Sequence, residues 1–213
     1  MAFIGFEELV RFLAGHGVIS VGETTLYYLY PVKIVIVAGL LYRYRGEYRE
    51  LRAGDLTMAR STLAVCVVGL LVYSLWIELQ WTVDIAGTAK GFNPMLLPGK
   101  GARIALASCR IIGSVLVVPP MEELFWRSFL IRTIIDSDFR KIPIGTFTWP
   151  SFLLTVVLFG LEHHAILAGI MAGIAYNLVL YKTRSIAQCI LAHSLTNLAL
   201  AVHVISTGSW HYW

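Results

Sequence analysis

From Ser61 to Leu79 the chain is an apolar run whose only charged side chain, Glu78, stands at its far end. About 20 such residues form an α-helix long enough to cross the hydrocarbon core of a bilayer. In lipid that helix satisfies its own backbone groups, which an open strand or loop cannot do. The remainder of the chain has the same character. Of its 213 residues 57% are hydrophobic and 14% charged, with a mean hydropathy of +0.71, whereas soluble domains carry ~25% charge. The expectation is an all-α, polytopic integral membrane bundle of about six to eight transmembrane helices, forming one domain over residues 1–213.

The spans can be placed from their flanks. Thr24–Tyr42 is the first, with Tyr27, Tyr28 and Tyr30 at headgroup level and Lys33 snorkelling. The next segment carries Arg43, Arg45, Arg49, Arg52 and Arg60 against Glu47, Glu50 and Asp55, which puts it on the cytoplasmic side. Ser61–Leu79 follows, and Trp76 and Trp81 mark its opposite end. Residues 82–101 form a loop on that far side. Ala102–Asp136 is long enough for two short helices meeting at Pro119-Pro120, yet no polar loop divides them. A kinked crossing and a tight hairpin both fit; the charge rule favours one net crossing, because it returns Arg132, Arg140 and Lys141 to the basic side. Trp149–Ala165 and Gly169–Tyr181 read as two short helices, Ile186–Ile205 as the last span, and Trp210–Trp213 as an interfacial anchor. Residues 3–13 suggest a short interfacial helix, and the absence of a basic leader ahead of Glu7 and Glu8 argues against a signal peptide. Gly169 and Gly173 form a small-xxx-small pair suited to close helix packing.

The formal net charge is +4 without a basic run or basic-aromatic patch, so nothing calls for a nucleic-acid partner. Cys66, Cys109 and Cys189 lie in apolar segments and read as small buried hydrophobes. The exceptional residues are polar ones inside apolar helices. Glu122-Glu123-Leu124-Phe125-Trp126-Arg127 follows an apolar run and the proline pair. A charge at membrane depth costs at least ~2.5–3.5 kcal/mol, so such groups usually face a protein interior and have a function. Glu123 and Arg127 are i and i+4 and close enough to pair; Glu122 is rotated ~100° away and has no partner within the turn. Phe159-Gly160-Leu161-Glu162-His163-His164 and His193-Ser194-Leu195-Thr196-Asn197 are the other two polar sets. Burying all three without pairing would be too costly, so they are expected to converge on a hydrated cavity. A carboxylate and an imidazole there can activate water, and an imidazole with an amide can hydrogen-bond an oxyanion. Glu122, His163 and His193 could equally hold a divalent metal such as zinc, which the sequence does not require. Other intramembrane protease chemistries lack their marks: there is no HExxH, no GxGD and no Gly-x-Ser motif in a span. Arg110 could contact a substrate carboxylate but reads first as structural pairing or snorkelling; Glu78 and Asp84 could line an entry route but read first as span boundaries; Asn177 reads as a packing hydrogen bond, and His16, His203 and His211 as interfacial or structural.

The pattern resembles the CPBP intramembrane proteases, relatives of the Glu-dependent CAAX prenyl endopeptidases, which carry EExxxR, FxxxH and HxxxN/D in that order on separate membrane helices. Glu122-Glu123-x-x-x-Arg127, Phe159-x-x-x-His163 and His193-x-x-x-Asn197 match the three motifs. The run Glu122–Leu130 is also similar to the exosortase-associated CAAX protease-related subgroup. The resemblance covers residues 101–205; the first 100 residues match nothing recognisable. It implies an intramembrane endopeptidase of the bacterial inner membrane, acting on a protein or peptide substrate that is itself membrane-anchored. It further implies Glu122 and His163 as water activators, His193 and Asn197 as oxyanion or metal ligands, and Glu123 and Arg127 as orienting groups. His164 fits no motif position. The rival readings are an ion-coupled transporter, since buried Glu and His are also parts of proton relays, and a binding or immunity scaffold without turnover.

Overall fold

The computed structural model describes residues 22–80 and 91–213, together with Val10, Leu13 and His16. Among these residues it is a helical bundle without strands. Five helices are long and apolar enough to cross a membrane. A one-turn helix, Glu23–Leu26, leads into α1 (Leu29–Arg43). Then come α2 (Ala59–Gln80), the continuous helix α3 (Lys100–Ile135), α5 (Ile166–Thr183) and α6 (Ile186–Thr207); between α3 and α5 lies the shorter apolar helix α4 (Trp149–Leu161). The described residues thus hold five helices of spanning length and the shorter α4, against the six to eight transmembrane helices expected. The expected helix over 3–13, apart from Val10 and Leu13, falls outside the described residues, as do Trp81 and Asp84.

Lys100–Ile135 is a single helix, which decides between the crossing and the hairpin. Pro119 and Pro120 do not break it; they alter its winding. Without N–H groups they leave carbonyls one turn earlier without their α-helical donor, and Gly113–Val117, just before them, is wound as π-helix. A second π-helical stretch, Leu124–Leu130, follows the short α-helical piece Val118–Glu123. The two wide turns set the phase at which Glu122 and Glu123 leave the helix. Such π-bulges occur frequently at functional sites.

Packing is closest where glycine removes a side chain. Helices α2 and α6 lie along each other, and a Cβ on Gly69 would stand 2.6 Å from the Ala192 carbonyl oxygen. In the α4–α5 hairpin a Cβ on Gly169 would meet the Gly160 backbone at 2.9 Å. Gly173 makes only an ordinary contact with Phe159 and Val156. Val35, Leu63, Leu116, Val157 and Val202 stay exposed on the outer faces, as lipid-facing residues do.

The basic side is tied by polar contacts from the first loop. Glu50 accepts from Arg132 at 3.0 Å and from the Ser128 hydroxyl. Gln188 donates to the Asp55 carbonyl and the Thr62 hydroxyl at 2.8 and 2.9 Å. At the opposite end Phe92 packs between Tyr27 and Trp213, and its N–H donates to the Trp213 carbonyl at 2.9 Å. Helix α4, at 13 residues, is about 20 Å long, shorter than a ~30 Å hydrocarbon core. Its turn into α5 therefore falls at membrane depth, where irregular backbone is tolerated only against protein or a wet cavity.

Candidate active site

Glu123 is the electrostatic hub. It is completely buried, and its Oε1 accepts from Arg127 Nη1 at 3.1 Å and from His193 Nδ1 at 2.9 Å. The i, i+4 pairing read from the sequence is present, and it extends across the bundle to α6. Arg127, 1% exposed, also donates from Nε to Asn177 Oδ1 at 3.2 Å. Asn177 Nδ2 donates in turn to the Thr155 hydroxyl at 3.0 Å. The guanidinium lies 4.4 Å over the Phe159 ring and 5.3 Å over that of Tyr176. A buried charge with an ion-pair partner, an amide partner and two π faces is well compensated.

Glu122 is the opposite case. Its Oε2 is buried without a hydrogen-bond partner and stands 4.0 Å from His193 Nε2, beyond hydrogen-bonding range. Since Glu123 accepts from His193 Nδ1, that nitrogen carries a proton and Nε2 is the edge turned toward Glu122. The His193 ring is stacked on Tyr176, with centroids 4.9 Å apart and planes 21° from parallel. Tyr176 is fixed by donation from its hydroxyl to Thr196 Oγ1 at 2.9 Å.

His163 sits in the turn between α4 and α5. Its Nδ1 lies 2.7 Å from the Phe159 carbonyl. A carbonyl can only accept, so Nδ1 bears the proton and Nε2 keeps its lone pair. The imidazole is flanked by Phe159 at 4.7 Å and edge-on by Trp76 at 5.3 Å. The phenylalanine of FxxxH thus supplies a carbonyl that sets the tautomer of His163 and a ring that supports Arg127. Asn197 Nδ2 donates to the Ser114 carbonyl at 2.8 Å, on the π-helical stretch of α3. One N–H and the amide oxygen remain for other partners.

Glu122, His163, His193 and Asn197 line one cavity of about 280 Å³. Glu123 and Arg127 do not line it; they lie behind His193. His164 is exposed and lies outside it. The cavity is also lined by Glu162 and Arg110, and by walls the sequence did not single out for the site: Trp76, Tyr176 and Lys33. Asn177, read as a packing residue, is the second partner of Arg127. Among the described residues no three His, Cys, Asp or Glu side chains are grouped to hold a metal ion, and Glu122, His163 and His193 do not form such a group.

Residues 105–199, which contain all three motifs, match the family described as Rce1-like: Type II CAAX prenyl endopeptidase Rce1-like. Over this segment, less than half of its length, the chain is similar to the CAAX proteases. Neither the curated proteins nor the solved structures returned a match. The family is one of proteases, and with five helices able to cross a bilayer the chain is an integral membrane protein.

Proposed function

We propose that the chain is an intramembrane endopeptidase that hydrolyses a peptide bond of a membrane-anchored protein or peptide near the membrane surface, in a bacterial inner membrane. The observation that supports this is one cavity lined by Glu122, whose Oε2 has no hydrogen-bond partner, by His163, whose Nδ1 is bound to the Phe159 carbonyl, and by two hydrogen-bonding side chains, His193 and Asn197. The similarity of residues 105–199 to the CAAX prenyl endopeptidases supports the reaction class.

In this reading Glu122 takes a proton from a water held between it and His163 Nε2. The oxygen attacks the carbonyl carbon, and the proton passes from Glu122 to the departing amine. The oxyanion accepts from the free N–H of Asn197 and from His193 Nε2–H. The second requires a proton on both ring nitrogens of His193. Arg127 offsets the charge of Glu123. Glu123 and Arg127 act through His193 and are positioning residues. No step is routed through a metal.

The test is wild-type protein in liposomes, incubated with a library of acylated or prenylated peptides and read by mass spectrometry. The expected result is new peptide termini, formed at least 100-fold more slowly by Glu122→Gln and His163→Ala, the order of contribution general acid–base groups make. Undiminished cleavage by either variant would overturn the mechanism. An absence of cleavage, with a proton flux that Glu122→Gln abolishes, would replace hydrolysis by ion-coupled transport.

A further inference from the structure

The same cavity contains a cation that the hydrolytic set does not use. Four arginines lie on α3, and three are engaged by carbonyl or carboxylate oxygens. Arg103 donates to the Leu97 carbonyl at 2.9 Å, Arg127 to Glu123, and Arg132 to Glu50. Arg110 lines the cavity, its Nε is buried without an acceptor, and no carboxylate pairs with it among the described residues. Its guanidinium is held in place by rings, 4.5 Å over Tyr30 and 5.6 Å over Phe92, and the Tyr30 hydroxyl donates to its backbone carbonyl at 3.3 Å. Lys33 adds positive charge to the same cavity wall. Aromatic faces offset part of the cost of a buried guanidinium, but its planar N–H fork is matched by a carboxylate.

We propose that Arg110 is a specificity residue: it binds a carboxylate of the peptide substrate, at a subsite separate from the hydrolytic groups. This deepens the protease reading and rests on it. Arg110 precedes Glu122 by twelve positions on one continuous helix, about 18 Å at 1.5 Å per residue. An extended peptide covers that distance in roughly five or six residues at ~3.3 Å each. The subsite therefore selects a free C-terminus, or an acidic side chain, about that far from the bond that breaks.

The experiment uses the full chain in nanodiscs of phosphatidylcholine. The probe is a library of N-lipidated hydrophobic decapeptides, synthesised both as free acids and as C-terminal amides, without acidic side chains in one half and with one Asp in the other. Retention on immobilised protein is read by mass spectrometry, and cleavage of the same library is scored separately. Wild type is expected to retain carboxylate-bearing peptides at least tenfold better than their neutral amides. Arg110→Gln should erase the preference, and Arg110→Lys should keep part of it. Free-acid against Asp-bearing amide peptides distinguishes the two sources of the carboxylate. Equal retention of acids and neutral amides by wild type, a preference unchanged in Arg110→Gln, or no retention of any peptide would each overturn the proposal. A preference abolished when phosphatidylglycerol replaces half of the lipid would assign Arg110 to a headgroup phosphate and overturn it as well. Cleavage without discrimination sinks only the Arg110 subsite; discrimination without cleavage sinks only the protease reading.

Discussion

Replacing Glu123 should cost far more than its exposure to substrate would suggest, because two other buried groups depend on it. Glu123→Leu leaves the Arg127 guanidinium buried with only Asn177 as a polar partner, and leaves His193 Nδ1 without an acceptor. Breaking one side of a buried ion pair typically costs about 3–5 kcal/mol, and Arg127→Met should fall in the same range. Independent sites would therefore sum to roughly 6–10 kcal/mol. The double variant removes both charges together, which is often close to neutral in a well-packed core. What remains is the orphaned His193 Nδ1 and Asn177 Oδ1, about 1–2 kcal/mol each. The double variant should lose only about 2–4 kcal/mol, a coupling of at least ~2 kcal/mol. Reversible unfolding by SDS in mixed micelles measures all three, with Glu123→Gln as a milder single if Glu123→Leu does not fold. Activity should not recover with stability, since His193 is no longer held. A double variant whose loss equals the sum of the singles, within ~0.5 kcal/mol, would refute the buried-pair reasoning.

Two further outcomes follow from the packing. Gly69→Ala should destabilise by about 1–3 kcal/mol, as overpacking does, because its Cβ would meet the Ala192 carbonyl at 2.6 Å. Gly39→Ala, with nothing within 4 Å, should gain up to ~1 kcal/mol from helix propensity; unfolding midpoints of the two variants check this. Tyr176→Phe keeps the ring stacked on His193 and loses only the bond to Thr196. It should cost about 0.5–1.5 kcal/mol and leave turnover within a few-fold of wild type, whereas Tyr176→Leu should lower turnover markedly by releasing His193.

The spans were legible because lipid permits few solutions: Ala59–Gln80 and Ile186–Thr207 lie within two residues of their expected ends. The Glu123–Arg127 pair was legible from helical geometry alone. Harder to read were features that depend on how helices cross. Tyr176 looks like any apolar-helix tyrosine until α5 lies beside α6 and stacks it on His193. Trp76 reads as a headgroup anchor, yet in the bundle its ring meets His163. The π-helical turns around Pro119-Pro120 were hidden as well, since proline announces a lost hydrogen bond but not how the helix absorbs it. Arg110 illustrates the limit most plainly: snorkelling and cavity lining call for the same residue at the same depth, and only the neighbouring helices separate them.

The central claim is that Glu122 and His163 act on one water. Turnover of wild type, Glu122→Gln, His163→Ala and the double variant on one cleaved peptide tests it directly. Groups that work as a unit are strongly non-additive, so the double variant should be no slower, within about threefold, than the slower single. A double variant slowed by the product of the two single effects would mean that carboxylate and imidazole serve separate steps, and would contradict the shared water.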